Sequence, residues 1–144
     1  MKNFKLTNGF RSYLIKQIQE MDLTEPKRVD IVDWKGKRGL SANALSWIWY
    51  DIIGNEFGML TDEVHSDCKI RFGLPILFAR KDEAAYDLAD DLDSIGFWNM
   101  DLQMQWRRIK NKEVTRTFNT KEMSDYLESI QIFYGAQGLA LESS

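Results

Sequence analysis

The sequence predicts an α+β fold, a single domain with a small antiparallel or mixed sheet and helices packed on one side. Two stretches rich in β-branched residues, RVDIVDWK and VTRTF, have the composition of strands. Several longer segments instead repeat their apolar residues with the period of a helix. A chain of 144 residues is long enough to bury a core of its own, and we expect one domain over residues 1–144.

The predicted strands lie near the two ends of the chain. Residues 4–7 predict a short strand, and residues 28–35 predict a longer one whose side chains alternate between two faces. VTRTF, residues 114–118, predicts a third. Residues 98–106 alternate strictly between apolar and polar types and favour an extended conformation, although methionine, glutamine and leucine prefer helices. LPILFA is expected to be extended or irregular.

Helices are predicted where capping residues precede a helical repeat. The expected helices follow Asn8, Ser41, Thr61, Asp82 and Asn119. Ser41 is a good N-cap for a largely apolar helix ending at Gly58, and Asn119 with Glu122 has the spacing of a capping box. The segment after Asp82 is amphipathic, with Ala85, Leu88, Ala89, Leu92 and Ile95 expected inside. Gly138 is expected to end the last helix.

Charge is distributed unevenly along the chain. The formal net charge is −3, which argues against a uniformly basic nucleic-acid-binding protein. Residues 1–40 nevertheless carry nine Lys/Arg and five Asp/Glu, whereas residues 41–106 carry four and twelve. No apolar run approaches the ~18 residues of a membrane span, and the first residues lack the apolar core of a signal peptide. The single cysteine, Cys68, makes a reducing cytoplasm the simplest compartment.

Two clusters of cations and one tryptophan predict a surface for single-stranded nucleic acid. Phosphates would meet the cations and a base would stack on Trp47, close in sequence to the first cluster. The bland alternatives are plain solubility for the cations and a core position for Trp47 and Tyr50, and we favour the core position. The candidate DNA-binding residues are Lys35, Lys37, Arg38, Trp47, Arg107, Arg108, Lys110, Lys112 and Arg116.

Enzymatic and metal-binding alternatives rest on shorter patterns. Asp33 and Lys35 have the spacing of the carboxylate and ammonium of a magnesium-dependent nuclease, although a solvated strand end would give the same pattern. His65 and Cys68 share a helix face but supply two ligands where a closed zinc site needs four. We predict no metal, no cofactor and no catalytic residue. A third alternative is a protein-interaction module that uses the acidic helix.

Two segments resemble the Orf/NinB recombination proteins of lambdoid phages. Arg38, Leu40, Asn43 and Trp47 match the family's first motif, in which Ala42 replaces the usual glutamine. Residues 122–133, EMSDYLESIQIF, resemble the family's C-terminal helix, and Gly138-Leu139 follows as in the family. The similarity covers roughly residues 28–72 and 113–141, and residues 73–112 do not align.

The resemblance implies a non-catalytic phage protein that binds single-stranded DNA in the host cytoplasm. Family members help to load a recombinase onto strands covered by single-strand-binding protein, so the expected partners are single-stranded DNA, that protein and the recombinase. The resemblance also implies a homodimer. The number of aromatic residues, five tryptophans and eight phenylalanines, supports an interface as well.

Overall fold

The computed structural model describes residues 5–32 and 41–142, and in these ranges the chain forms helices and no strand. The predicted α+β class is therefore wrong, and the described part of the chain is all-α. The elements in chain order are α1 (Arg11–Gln19), α2 (Ala42–Phe57), α3 (Thr61–Cys68), a π-helical turn (Lys69–Gly73), α4 (Leu74–Ala79), α5 (Glu83–Ser94), a 3₁₀ turn (Phe97–Asn99), α6 (Leu102–Ile109) and α7 (Thr120–Gly135).

The segments that looked like strands have other conformations. Residues 5–7 and 28–32 have no regular structure, and residues 4 and 33–35 lie outside the described ranges. Val29, Ile31 and Val32 are exposed, and no strand lies beside them in the described ranges. Residues 114–118 form bends and turns. Residues 98–106 were expected to be extended, but they cover the end of the 3₁₀ turn and the first part of α6. From Leu102 onward the helix preference of leucine, glutamine and methionine outweighs the alternating pattern.

Several predicted helix boundaries are confirmed at atomic detail. The Ser41 hydroxyl accepts a hydrogen bond from the Ala44 N–H at 3.2 Å, and Gly58 ends α2 in the left-handed conformation. Asn119 and Glu122 exchange the two hydrogen bonds of a capping box at 2.8 and 3.0 Å. Asn8 is not the cap of α1, since Phe10 occupies that position.

α3, the π-helical turn and α4 follow one another without a break from Thr61 to Ala79. Pro75 stands in the first turn of α4, where it cannot donate a backbone hydrogen bond and where its ring would crowd the carbonyl one turn earlier. The wider π-helical turn immediately before it relieves that crowding, so LPILFA remains helical. The prediction of an extended segment there is therefore wrong.

Two hydrophobic clusters form the core, and Phe118 packs against both. The first joins α2, α3 and α7, and in it the buried hydroxyls of Tyr50 and Tyr126 share a hydrogen bond at 2.6 Å. The second joins α4, α5 and α6 around Phe97 and Leu92. Ile95 was expected to continue the buried face of α5, but its side chain is exposed. It lies just after the helix, which ends at Ser94. Among the described residues, every helix is too short or too polar to cross a membrane.

Candidate nucleic-acid interface

The candidate interface lies along α3, which packs against both α2 and α6. Tyr50 and Trp47 of α2 contact His65 of α3. Lys110, just after α6, places its ammonium 3.3 Å from the Asp62 carboxylate of α3. Asp62 and His65 are three residues apart and share one helix face. A tryptophan ring and a lysine are thereby held within about one turn of the same helix.

Trp47 is an exposed ring on a fixed support. It keeps 39 % of its surface exposed, so its expected core position is wrong, whereas Tyr50 is fully buried as expected. Its ring meets His65 and Tyr50 edge to face, with centroid separations of 4.5 and 5.2 Å. Tyr50 and His65 stack on each other at 4.8 Å. These contacts limit the motion of a ring that still offers area to a ligand.

His65 belongs to this aromatic cluster and is half-buried. Burial lowers the pKa of His65 to about 4, Lys69 lowers it further by repulsion, and Asp62 opposes the shift. The imidazole is therefore neutral at pH 7 and contributes a ring rather than a charge. Cys68, on the same helix, is fully buried, and burial raises the pKa of its thiol. In the described ranges, no three His, Cys, Asp or Glu side chains are grouped to hold a metal ion.

The cations at the end of α6 differ in their partners. Arg107 and Arg108 are exposed and make no ion pair with any described residue. Lys110 pairs with Asp62, Lys112 lies 3.8 Å from Asp91, and Arg116 lies 2.7 Å from Glu113. The structure therefore places Lys110 beside α3 and leaves Arg107 and Arg108 exposed in the last turn of α6, while Lys112 and Arg116 pair with other carboxylates.

A buried lysine supports this surface from below. The Lys69 ammonium donates hydrogen bonds to the carbonyls of Ile109, Lys110 and Lys112 at 3.4, 3.0 and 2.9 Å. Burial lowers the pKa of Lys69. Its charge offsets the negative end of the α6 dipole, a role that cations in the last helical turn commonly fill. The exposed arginines are thus left available to an anion.

A second side chain of α3 fixes the orientation of α6. The Asp67 carboxylate accepts a hydrogen bond from the Trp106 indole at 3.1 Å and pairs with Arg71 at 2.8 Å. Asp67 is buried, and each of its two carboxylate oxygens accepts one of these hydrogen bonds. Together with Lys69 it holds α6 against α3. Sequence reasoning missed Asp67 and Lys69, whose only signal was their place beside Cys68 and Ile70, and it considered His65 only as a possible metal ligand.

Three predicted cations and the candidate nuclease pair cannot be placed. Lys35, Lys37, Arg38 and Asp33 all lie outside the described residues. Both the nucleic-acid and the nuclease hypotheses for that segment therefore remain predictions.

A shallow groove of about 440 Å³ lies between α4 and the start of α7. Its two cations already have partners, since Arg80 pairs with Asp82 and Lys121 with Asp125. The groove therefore offers less unpaired charge than the last turn of α6, which carries Arg107 and Arg108.

Comparison with known proteins adds no relative, since no family model, curated protein or solved structure matches the chain.

Proposed function

We propose that this protein binds single-stranded DNA without cleaving it, as an accessory protein of phage recombination. One observation carries the proposal. The exposed ring of Trp47 contacts His65 and the ammonium of Lys110 contacts Asp62, and these two residues lie about one turn apart on α3. Rings beside cations suit single strands, because phosphates meet the cations while unpaired bases stack on the ring. In a duplex the faces of the bases are covered by their neighbours, so stacking on Trp47 favours a single strand.

The local charge supports this function despite the acidic total. Arg107 and Arg108 have no carboxylate partner among the described residues, and Lys69 offsets the negative end of the α6 dipole. Lys110 would exchange Asp62 for a phosphate, which costs little because an exposed ion pair contributes ~0–1 kcal/mol. The acidic remainder of the chain would keep the DNA on this surface and disfavour general wrapping.

The finer parts of the proposal follow from the resemblance to the Orf/NinB proteins. The bound strand would be one covered by single-strand-binding protein, and the chain would help a recombinase to load onto it in the host cytoplasm. A homodimer would double a small cationic surface into a longer track. Lys35, Lys37 and Arg38 would extend the same track, and Lys112 and Arg116 would join it by exchanging their carboxylate partners for phosphates.

Fluorescence anisotropy with labelled oligothymidine tests the proposal. Reversing both arginines, Arg107→Glu with Arg108→Glu, should weaken binding at least tenfold and flatten its dependence on salt, because fewer counterions are released. Trp47→Ala should weaken binding by ~1–3 kcal/mol, the usual contribution of one stacked base. A duplex of equal length should bind more weakly than the single strand.

The matched control for the arginine pair is Lys16→Glu with Lys27→Glu, which changes the net charge equally at exposed positions away from α6. Equal weakening by both pairs would show that total charge, and not this surface, holds the DNA. Incubation with magnesium separates the nuclease alternative. Cleavage that requires magnesium and is lost in Asp33→Asn would replace the proposed function with that of an enzyme.

A further inference from the structure

A second surface, at the N-terminal end of α6, exposes three large apolar side chains. Ile95, Trp98 and Leu102 lie within one short connection from the end of α5 to the start of α6, and we call them the Trp98 surface. Trp98 leaves 52 % of its area in solvent. These three exposed side chains lie within seven residues of one another in the chain, and exposed apolar patches mark sites of interaction more often than single residues do.

The connection holds Trp98 rigidly. Gly96 takes the left-handed conformation, with φ of 69°, and allows the chain to leave α5 and enter the 3₁₀ turn. Trp98 packs edge to face on Phe97, a fully buried core ring, at 5.0 Å. The Gln105 amide of α6 donates to the Phe97 carbonyl at 3.0 Å. A rigid, half-exposed tryptophan loses little conformational entropy on binding, which is typical of a binding hot spot.

The segment that contains the Trp98 surface is acidic. Residues 82–105 contain seven Asp/Glu and no Lys or Arg. Asp82 pairs with Arg80, and Asp91 with Lys112. Asp90 and Asp93, in the last turns of α5, are exposed and have no ion pair with a described residue.

We propose that the Trp98 surface docks a basic amphipathic segment of another protein. The apolar face of that segment would cover Trp98 and its neighbours, and its Lys or Arg side chains would meet Asp90 and Asp93. The same carboxylates repel phosphates, which excludes nucleic acid as the occupant of this surface and disfavours an anionic membrane. The site is separate from the proposed DNA interface, and its failure would leave that interface unaffected.

An 18-residue amidated peptide of lysine and leucine, with its leucines on one helical face, serves as the probe. Titrated into ¹⁵N-labelled protein, it should shift the indole resonance that Trp98→Phe removes, and leave the other indole resonances nearly unchanged. Trp98→Ala should weaken peptide binding tenfold or more, as expected for a hot spot. Asp90→Asn with Asp93→Asn should weaken it several-fold and reduce its salt dependence.

Matched controls separate docking from simple charge attraction. Leu60→Ala removes another highly exposed apolar side chain, and Glu25→Gln with Glu128→Gln removes the same charge from other helices and segments. Both should bind the peptide normally, and a peptide of the same composition with leucines spread around the helix should bind at least tenfold more weakly. Equal binding by Trp98→Ala and the wild type, or equal binding of the two peptides, would overturn the proposal. Sedimentation showing a dimer that Trp98→Ala abolishes would assign the surface to a second copy of the chain and overturn it as well.

Discussion

Replacing His65 by phenylalanine should remove a loss of stability that the wild-type protein undergoes as the pH falls from about 7 toward 4. The phenyl ring keeps the contacts with Tyr50 and Trp47 but cannot take up a proton. Burial against these rings, with Lys69 one turn away, lowers the pKa of His65 to about 4. The unfolded chain, in which histidine has its ordinary pKa near ~6.5, therefore takes up the proton first.

The sign and the size of the effect follow from proton linkage. Because the pKa of His65 is lower in the folded state, the contribution of His65 to the free energy of unfolding is fully present above its ordinary pKa. This contribution is lost as the pH falls toward about 4. At pH 5 a shift of this size corresponds to at most ~2 kcal/mol. Part of the ring remains in solvent, where screening weakens the effect, so we expect a loss of ~1 kcal/mol.

Urea denaturation at pH 7.5 and pH 5 measures this loss. The wild type should lose ~1 kcal/mol more than His65→Phe between the two conditions. His65 is the sole histidine of the chain, and the carboxylates common to both proteins contribute equally to each curve. Parallel losses in the two proteins, or an NMR titration that places the pKa of His65 at its ordinary value, would refute the reasoning.

Three further substitutions test how the helices pack. Lys69→Met should lower the free energy of unfolding by ~2 kcal/mol, because it leaves the three carbonyls at the end of α6 without their charged donor. Urea denaturation measures this loss, and hydrogen exchange should show faster opening of α6 than of α7. Gly135→Ala should lower the free energy of unfolding by ~2–3 kcal/mol and loosen α1, because the new methyl group would collide with the Gly9 backbone. An unchanged free energy of unfolding would show that the chain before α1 does not pack against Gly135. Trp47→Ala should cost less than ~2 kcal/mol of unfolding free energy, well below the ~3–5 kcal/mol of a core aromatic; a larger loss in the same urea assay would return Trp47 to the core.

Local chemistry made the helix boundaries predictable from sequence. Ser41, Gly58 and the pair Asn119 and Glu122 act on backbone groups within four residues of themselves, so their roles do not depend on the rest of the fold. The apolar repeat of α5 likewise identified Ala85, Leu88 and Leu92 as buried. For these elements the sequence contains nearly all the interactions that decide the structure.

Strands could not be predicted in the same way, because a strand needs hydrogen-bonding partners from other parts of the sequence. Residues 28–32 have a composition typical of a strand, yet no partner lies beside them in the described ranges and they remain exposed. LPILFA is helical because the π-helical turn before Pro75 accommodates the proline ring. In both cases the surrounding structure overrides the local composition.

The sequence by itself determined that cations and a tryptophan are present near helix ends, and that the middle of the chain is acidic. Only the tertiary structure decided which of them lie together. It placed His65 under Trp47, Lys69 beneath the end of α6, and Trp98 outside the core that contains its neighbour Phe97. The physical reason is that burial depends on which helices pack against a side chain, and those neighbours lie some 20 to 40 residues away in the sequence.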